Sequence, residues 1–501
     1  KYLMNIRKPS AHQKEIFNFI QRELGNLIVN ATAGSGKTTT ILECLKLIPI
    51  NKSILFVSFS NTIVNELKER SPKHVKVSTL HSLGFSILRN KNKNLKLNNN
   101  KYFGIVLEQV NKLEQLKHKD DRKPIKEVYI QVYQILEIIQ AIKLTYSYQK
   151  TETIREMGQF YGLEVTSENI DISLYVLTKT RNLDDTIDFA DMLYKSLTTE
   201  RLVYPKYDYI FYDEVQDSNT AQLKLIEKLL KPTSRLITVG DWNQAIYGFS
   251  FANQQSLEYL KNRKNTKILP LSVSYRCAKN IVLEAQKVNS EILPHPDKED
   301  GVVRRGYFEE IDKGDMIVCR NTKPLIITYI KLLEDKKYAY VVGSDYGNKI
   351  VKYFDTFTLR GAIRDVEIVE GKIVKHLVKV KSSLLEIGIK DPTKHQKFQD
   401  EKEICSVLSI LLKTWGVKDL INRVEDMFRV DTNKDIIKLM TIHRSKGLEN
   451  NRVFFIDKFN KIRLIPSKFA DQEWELQQER NIEFVGITRA KSELVYIEIT
   501  D

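Results

Sequence analysis

Cysteine is scarce: Cys44, Cys277, Cys319 and Cys405 are the only four in 501 residues. They are scattered and form no CxxC pair, so neither a zinc site nor an iron–sulfur cluster is expected. Four lone thiols in a chain this long fit a reducing compartment, and the expected location is cytoplasmic. No apolar run approaches the ~20 residues that a membrane span requires, so no membrane partner is expected. Lys1 to Ser10 lacks the apolar core of a signal peptide and opens on Lys instead of an initiator Met. Acidic residues fall short of basic ones, 64 against 79, leaving a formal net charge of +15. Nucleic acid is the first partner class that such a balance suggests. The chain is also rich in Lys, Asn and Ile, and a nucleotide-biased gene produces the same excess.

What is present begins with length. A chain of 501 residues exceeds one core and suggests about three or four domains or subdomains. Its hydrophobic content of 42% and charged content of 29% are ordinary for a globular protein. The stretch from Asn26 to Thr40, NLIVNATAGSGKTTT, reads as strand, phosphate loop and helix. Gly34 and Gly36, flanking Ser35 after Ala33, let the backbone turn and bring N–H groups close to anionic oxygens. The helix N-terminus adds partial positive charge. In such a loop Lys37 is expected to reach the β- and γ-phosphates and the Thr38 hydroxyl to hold Mg2+.

Further units follow in order. Ser10 to Arg22 reads as a capped helix carrying Gln13, whose amide both donates and accepts and so suits an adenine edge. Strand–turn–helix units at Ser53 to Arg70 and Val75 to Leu88 carry Phe59 and Asn61, then Thr79 and His81, at strand ends where open α/β sheets bind ligands. From Arg89 to Lys126 there are eleven Lys or Arg against four Asp or Glu, which reads as a helical insertion with a basic face or a solvated surface. The sheet resumes at YDYIFYDEVQD, Tyr207 to Asp217. Two carboxylates ending an apolar strand are costly unless used. Beside a phosphate loop, Asp213 is expected to hold Mg2+ through water and Glu214 to polarise an attacking water. Leu236 to Val239 is another strand, and Gln244 beyond it could sense a γ-phosphate. Tyr247 and Phe249 are core aromatics by default, or rings for stacking bases. A second α/β block opens at Ile268 to Arg276 and closes through His443 to Glu449 and a helix from Gln478 to Ala490.

Taken in order, these motifs resemble superfamily 1A helicases of the UvrD/Rep/PcrA type over most of the chain, from Gln13 to Arg489. ATAGSGKT from Ala31 is similar to the family's phosphate loop, which often has Ala at that first position. The resemblance implies two tandem RecA-like domains of α/β class, each with a mostly helical insertion. It places the first domain at 1–90 and 201–267 with its insertion at 91–200, and the second at 268–345 and 432–501 with its insertion at 346–431. It implies ATP and Mg2+ as cofactors, with nucleotide contacts from Gln13, Ala33 to Thr39, Tyr275 and Glu449 and arginine fingers at Arg276 and Arg489. It implies DNA contacts at Phe59, Asn61, Thr79, His81, Tyr247, Phe249 and His443. The expected partner is single-stranded DNA with its junctions to duplex, travelled 3′ to 5′ as two blocks close on ATP and reopen. Alternatives are a translocase that strips proteins with little unwinding, a motor directed to RNA, and a nucleotide-binding scaffold without turnover. Compact length and Lys/Asn-rich composition are shared with phage and viral genes, in which case the cytoplasm is the host's.

Overall fold

A computed structural model describes residues 9–59, 61–147, 151–160, 163, 165–182, 185–246, 256–386, 391–393, 395–430, 435–468, 470 and 472–500. The chain divides into two compact units between Ser272 and Val273. Among the described residues, no helix is long and apolar enough to cross a membrane.

The first unit is built on a six-stranded sheet: β1 (Asn26–Ala31), β2 (Ile54–Val57), β3 (Val75–Ser78), β4 (Tyr207–Tyr212), β5 (Leu230–Gly240) and β6 (Thr266–Leu271). Their order is β3-β2-β4-β5-β1-β6, and every pairing is parallel. The strands read as near-continuous apolar runs because both faces are covered. On one face Leu27, Val29, Ile54, Phe56 and Phe211 pack against the helices α1 (Ala11–Arg22), α2 (Lys37–Lys46) and α3 (Asn61–Arg70). The alternate residues Ile28, Leu55, Val57, Ile210 and Tyr212 face a second core. That core includes α4 (Leu80–Lys91) and the helix Thr220–Leu229, and it continues into the insertion helices Lys101–Gln115, Ile125–Thr145 and Ser167–Lys179. Each fully buried Leu, Ile or Phe contributes about 1.5–3 kcal/mol.

The stretch from 91 to 200 is mostly helical, and its basic run lies largely on the surface, where Lys112 pairs with Glu108. Two later lysines are buried instead. Lys143 Nζ lies 2.8 Å from Asp188 and 3.0 Å from Asp191, and over the Tyr102 ring. Lys195 donates to the carbonyls of Thr180 and Asn182. Both tie the helix Asp191–Thr198 to the rest of the insertion. The strand Thr266–Leu271, which the sequence reading gives to the second block from residue 268 on, is hydrogen bonded to β1 at the edge of the first sheet. An apolar strand announces burial but not which sheet it joins.

The second unit repeats the plan with β7 (Val302–Arg305), β8 (Met316–Cys319), β9 (Ala339–Val341), β10 (Ile437–Thr441), β11 (Asn450–Phe459) and β12 (Ala490–Ile499). Their order is β7-β12-β11-β8-β10-β9, again parallel, with Ile462–Arg463 added antiparallel to β11. Its insertion holds three helices, Ser344–Thr358, Val366–Glu386 and Gln396–Phe428, and Gly416 at φ 67° interrupts the last.

Gly84 tests how closely α4 meets the helix Asp191–Thr198. A Cβ there would lie 2.1 Å from the Met192 carbonyl oxygen. In an open helix Gly→Ala gains about 1 kcal/mol. Here Gly84→Ala is expected to lower the thermal midpoint, with a backbone clash costing about 1–3 kcal/mol. A raised midpoint would show that the two helices are not in contact at this position.

Candidate active site

Three neighbouring parallel strands, β4, β5 and β1, end at the same edge of the first sheet. Asn30 is level with Gly240, and Tyr212 with Thr238. The residues that follow each strand therefore converge, as ligand-binding residues do at the carboxyl edge of an open α/β sheet.

After β1 the chain enters the phosphate loop. The Thr32 hydroxyl donates to the Ser272 carbonyl at 2.9 Å and its N–H to Leu271 at 3.0 Å, which fixes the loop to the end of β6. Gly34 and Gly36 take φ of 68° and 82°, the left-handed region open to glycine at low cost. Gly36 is the N-cap of α2, so the helix's free N–H groups face the loop. Thr38 is half-buried and Thr39 exposed at the start of that helix. Gln13 is buried, with both ends of its amide engaged. Its Nε2 donates to Thr40 Oγ1 at 3.0 Å, and its Oε1 accepts from the Ser10 N–H at 3.0 Å. Thr40 in turn donates to the Gly36 carbonyl at 2.9 Å, wiring Gln13 to the loop. A nucleotide base read by Gln13 must share or replace these bonds.

After β4 come Asp213 and Glu214. Glu214 has φ 53°, a left-handed conformation that costs a side-chain-bearing residue about 1–3 kcal/mol and collects at functional sites. Its carboxylate lies 2.8 Å from Lys37 Nζ. Gln216 donates to Glu214 at 2.6 Å and accepts from the Asp241 N–H at 3.1 Å, joining the β4 and β5 ends. Gln244 donates to Asp241 at 2.8 Å. Burial raises the Asp213 carboxyl well above the usual range, with Glu214 adding to it and Lys37 opposing. Burial likewise pushes Asp241 up to about 6. Burial pulls Lys37 down, but Glu214, Asp213 and Asp241 outweigh it, so its pKa ends above the ordinary value. Three carboxylates thus share one lysine, a hard-oxygen set with negative charge to spare that fits Mg2+. Asp241 and Gln216 were missed from sequence. Their signal was position, since Asp241 directly follows a buried strand as Asp213 does.

The residues linked to DNA are divided. Phe59 is exposed at the C-terminal end of β2, and Asn61 opens α3. Thr79 is buried as the N-cap of α4, accepting from the Ser82 N–H at 3.1 Å. His81 stacks on Phe189 with ring centroids 4.1 Å apart, and burial holds its imidazole down to about 4, hence neutral. Phe189 is half-exposed, an aromatic that the sequence reading passed over. Tyr247 and Phe249 lie outside the described residues.

In the second unit, β11 and β12 begin level with each other at Asn450 and Ala490. Glu449 and Arg489, one residue earlier, are therefore neighbours. Glu449 accepts from Arg276 Nε at 2.6 Å and pairs with Lys491 at 2.9 Å. The Tyr275 ring lies 4.9 Å from that of His295. Arg489 is 1% exposed and donates to the carbonyls of Val485 at 2.9 Å and Leu448 at 3.0 Å. Burial, with Arg320 and Lys446, lowers His443 to about 3, which keeps it neutral.

A family model described as the UvrD/REP helicase N-terminal domain matches residues 11–265. A second, the UvrD-like helicase C-terminal domain, matches residues 372–500. The chain is 25% identical to the ATP-dependent DNA helicase Rep of Buchnera aphidicola subsp. Acyrthosiphon pisum (strain APS), over 91% of this chain and 73% of the relative. It is 22% identical to the ATP-dependent DNA helicase PcrA of Bacillus subtilis (strain 168), over 94% and 80%. It is 25% identical to a probable DNA helicase II homolog of Mycoplasma capricolum subsp. capricolum, over 93% and 81%.

The crowded carboxylates carry a stability cost with a definite pH sign. A folded pKa near 6 for Asp241 means that stability falls as pH rises from the unfolded value through about 6. Asp241→Asn is therefore expected to raise the thermal midpoint above pH 6, and to lose that advantage near pH 4, where the native carboxyl is itself protonated. Melting curves at both ends of this range check it, and a lower midpoint at pH 8 would refute the crowding.

Proposed function

The chain belongs to the UvrD/Rep-type helicase family, and from that premise we propose that it is an ATP-dependent DNA helicase moving on single-stranded DNA. The observation that carries this reading is the convergence of the phosphate loop, Lys37, Asp213, Glu214 and Asp241 at one sheet edge. Lys37 holds Glu214 in an ion pair. An arriving triphosphate competes for that lysine. As Lys37 turns to the β- and γ-phosphates, the Glu214 carboxylate is released to accept the proton of an attacking water. Catalytic competence is thereby linked to occupancy of the loop. Thr38 and, through water, Asp213 would hold Mg2+, which supplies charge neutralisation on the phosphate oxygens. Gln244 donates to Asp241, and its proposed role is to report the γ-phosphate to the segment that follows it.

Tyr275, Glu449, Arg276 and Arg489 keep the adenine, ribose and γ-phosphate roles that the family resemblance gives them. Arg276 has first to leave Glu449. Backbone carbonyls hold Arg489 and orient it. For DNA, Ser82, Phe85, Ser86 and Arg89 of α4, with Lys93 just past its C-terminus, line one hollow, and the Arg89 guanidinium is 5.7 Å from the Phe85 ring. Two cations beside an aromatic suit a phosphate backbone with bases stacked nearby, a geometry worth ~1–3 kcal/mol per stacked base. We assign Phe59, Phe189 and His81 to the same strand path, its direction 3′ to 5′, and the cytoplasm as its location.

Glu214→Gln is expected to bind ATP as the parent does and to lose turnover by about 10²–10⁴-fold, the range for a general base. Normal turnover in that variant would remove Glu214 from the mechanism. Single-stranded DNA is expected to raise the ATPase rate, and its affinity to fall linearly on a log–log plot against salt. A rate indifferent to DNA would refute the motor, and strand-displacement and translocation assays run side by side would separate unwinding from movement alone.

A further inference from the structure

The helical insertion of the second unit contains a constellation that ATP and DNA chemistry does not use. His376 lies on the helix Val366–Glu386, while Glu401 and Cys405 lie on Gln396–Phe428. The last two are four residues apart and so share one helix face. One ligand atom from each of the three falls within 4.8 Å of the others, and no other such group of His, Cys, Asp and Glu occurs among the described residues. His376 Nε2 is 2.7 Å from Glu401 Oε2. The second Glu401 oxygen accepts from the Tyr353 hydroxyl at 2.5 Å. Tyr353 and Phe357 meet the His376 ring edge-on at 6.1 and 5.4 Å, which fixes its orientation.

A Tyr–Glu–His hydrogen-bond chain is complete without a sulfur, yet Cys405 is fully buried against it. Burial first, and Glu401 second, push the Cys405 thiol up to about 12, so without a cation it is an inert thiol. Imidazole nitrogen, thiolate and carboxylate together are the donor set of zinc-type ions, not of Mg2+ or Ca2+. A carboxylate held by a tyrosine and a ring held by aromatics are the supporting contacts that ligands of such ions require. Lys349, the nearby cation, is exposed on its helix and has room to turn to solvent.

We infer that His376, Glu401 and Cys405 form a site for one zinc-type divalent ion that clamps the two insertion helices together. Binding breaks the Cys405 S–H bond, with the proton going to solvent, and forms metal bonds to sulfur, the His376 nitrogen and a Glu401 oxygen. A fourth position is left for water.

The full-length protein, stripped with a chelator, is titrated with Co2+ and then Zn2+ in the absence of nucleotide. One equivalent of Co2+ is expected to bring up the thiolate-to-cobalt charge-transfer band, and Zn2+ is expected to bleach it and raise the thermal midpoint. Cys405→Ser is expected to abolish the band, and His376→Gln, at a partly exposed position, to weaken binding at least tenfold. A wild-type protein with no band overturns the site, as does a band that survives Cys405→Ser. The band separates this site from carboxylates near Lys37, which offer no sulfur.

Discussion

Burying like charges is the constraint on which the first unit depends. Asp213, Glu214 and Asp241 are carried to one sheet edge because β4 and β5 are neighbours and end in register. Lys37 arrives from the helix that follows β1, the next strand over. One ammonium cannot neutralise three carboxylates, so burial drives Asp213 and Asp241 toward protonation. The site is thus short of positive charge, an arrangement that lowers the stability of the fold and is common where a protein has a function to perform.

The second unit solves the opposite problem. Arg276 and Lys491 share a single carboxylate, Glu449. Arg489 is buried, and the carbonyls of Val485, Ser445 and Leu448 satisfy its guanidinium. Val485 lies in the last turn of the helix Glu473–Ile487, where the helix dipole favours a cation. Carbonyls thus hold and orient this guanidinium inside the second unit.

Much of this was legible in the chain. The phosphate loop could be read because its glycines, lysine and threonine act locally, within one turn of backbone. The carboxylate pair at Asp213 and Glu214 could be read because two charges ending an apolar strand have few other reasons to exist. Asp241 left only the signal of its position, and a lone Asp after a strand acquires meaning from the strand beside it. The buried lysines Lys143 and Lys195 were hidden for the same reason, because their acceptors lie on other segments of the chain. The edge strand Thr266–Leu271 was assigned across the boundary, since apolar content does not name a partner strand.

Local chemistry is what sequence alone determined: an α/β chain with a phosphate loop, a carboxylate pair ending an apolar strand and a basic balance. Only tertiary structure decided which groups meet. Strand order brought Asp241 and Gln216 to Lys37, and register set Glu449 beside Arg489. Helix packing closed His376 on Glu401 and Cys405 across 25 and more residues of chain. Hydrogen bonds and charges act over a few ångströms of space, and distance along the chain does not record that space.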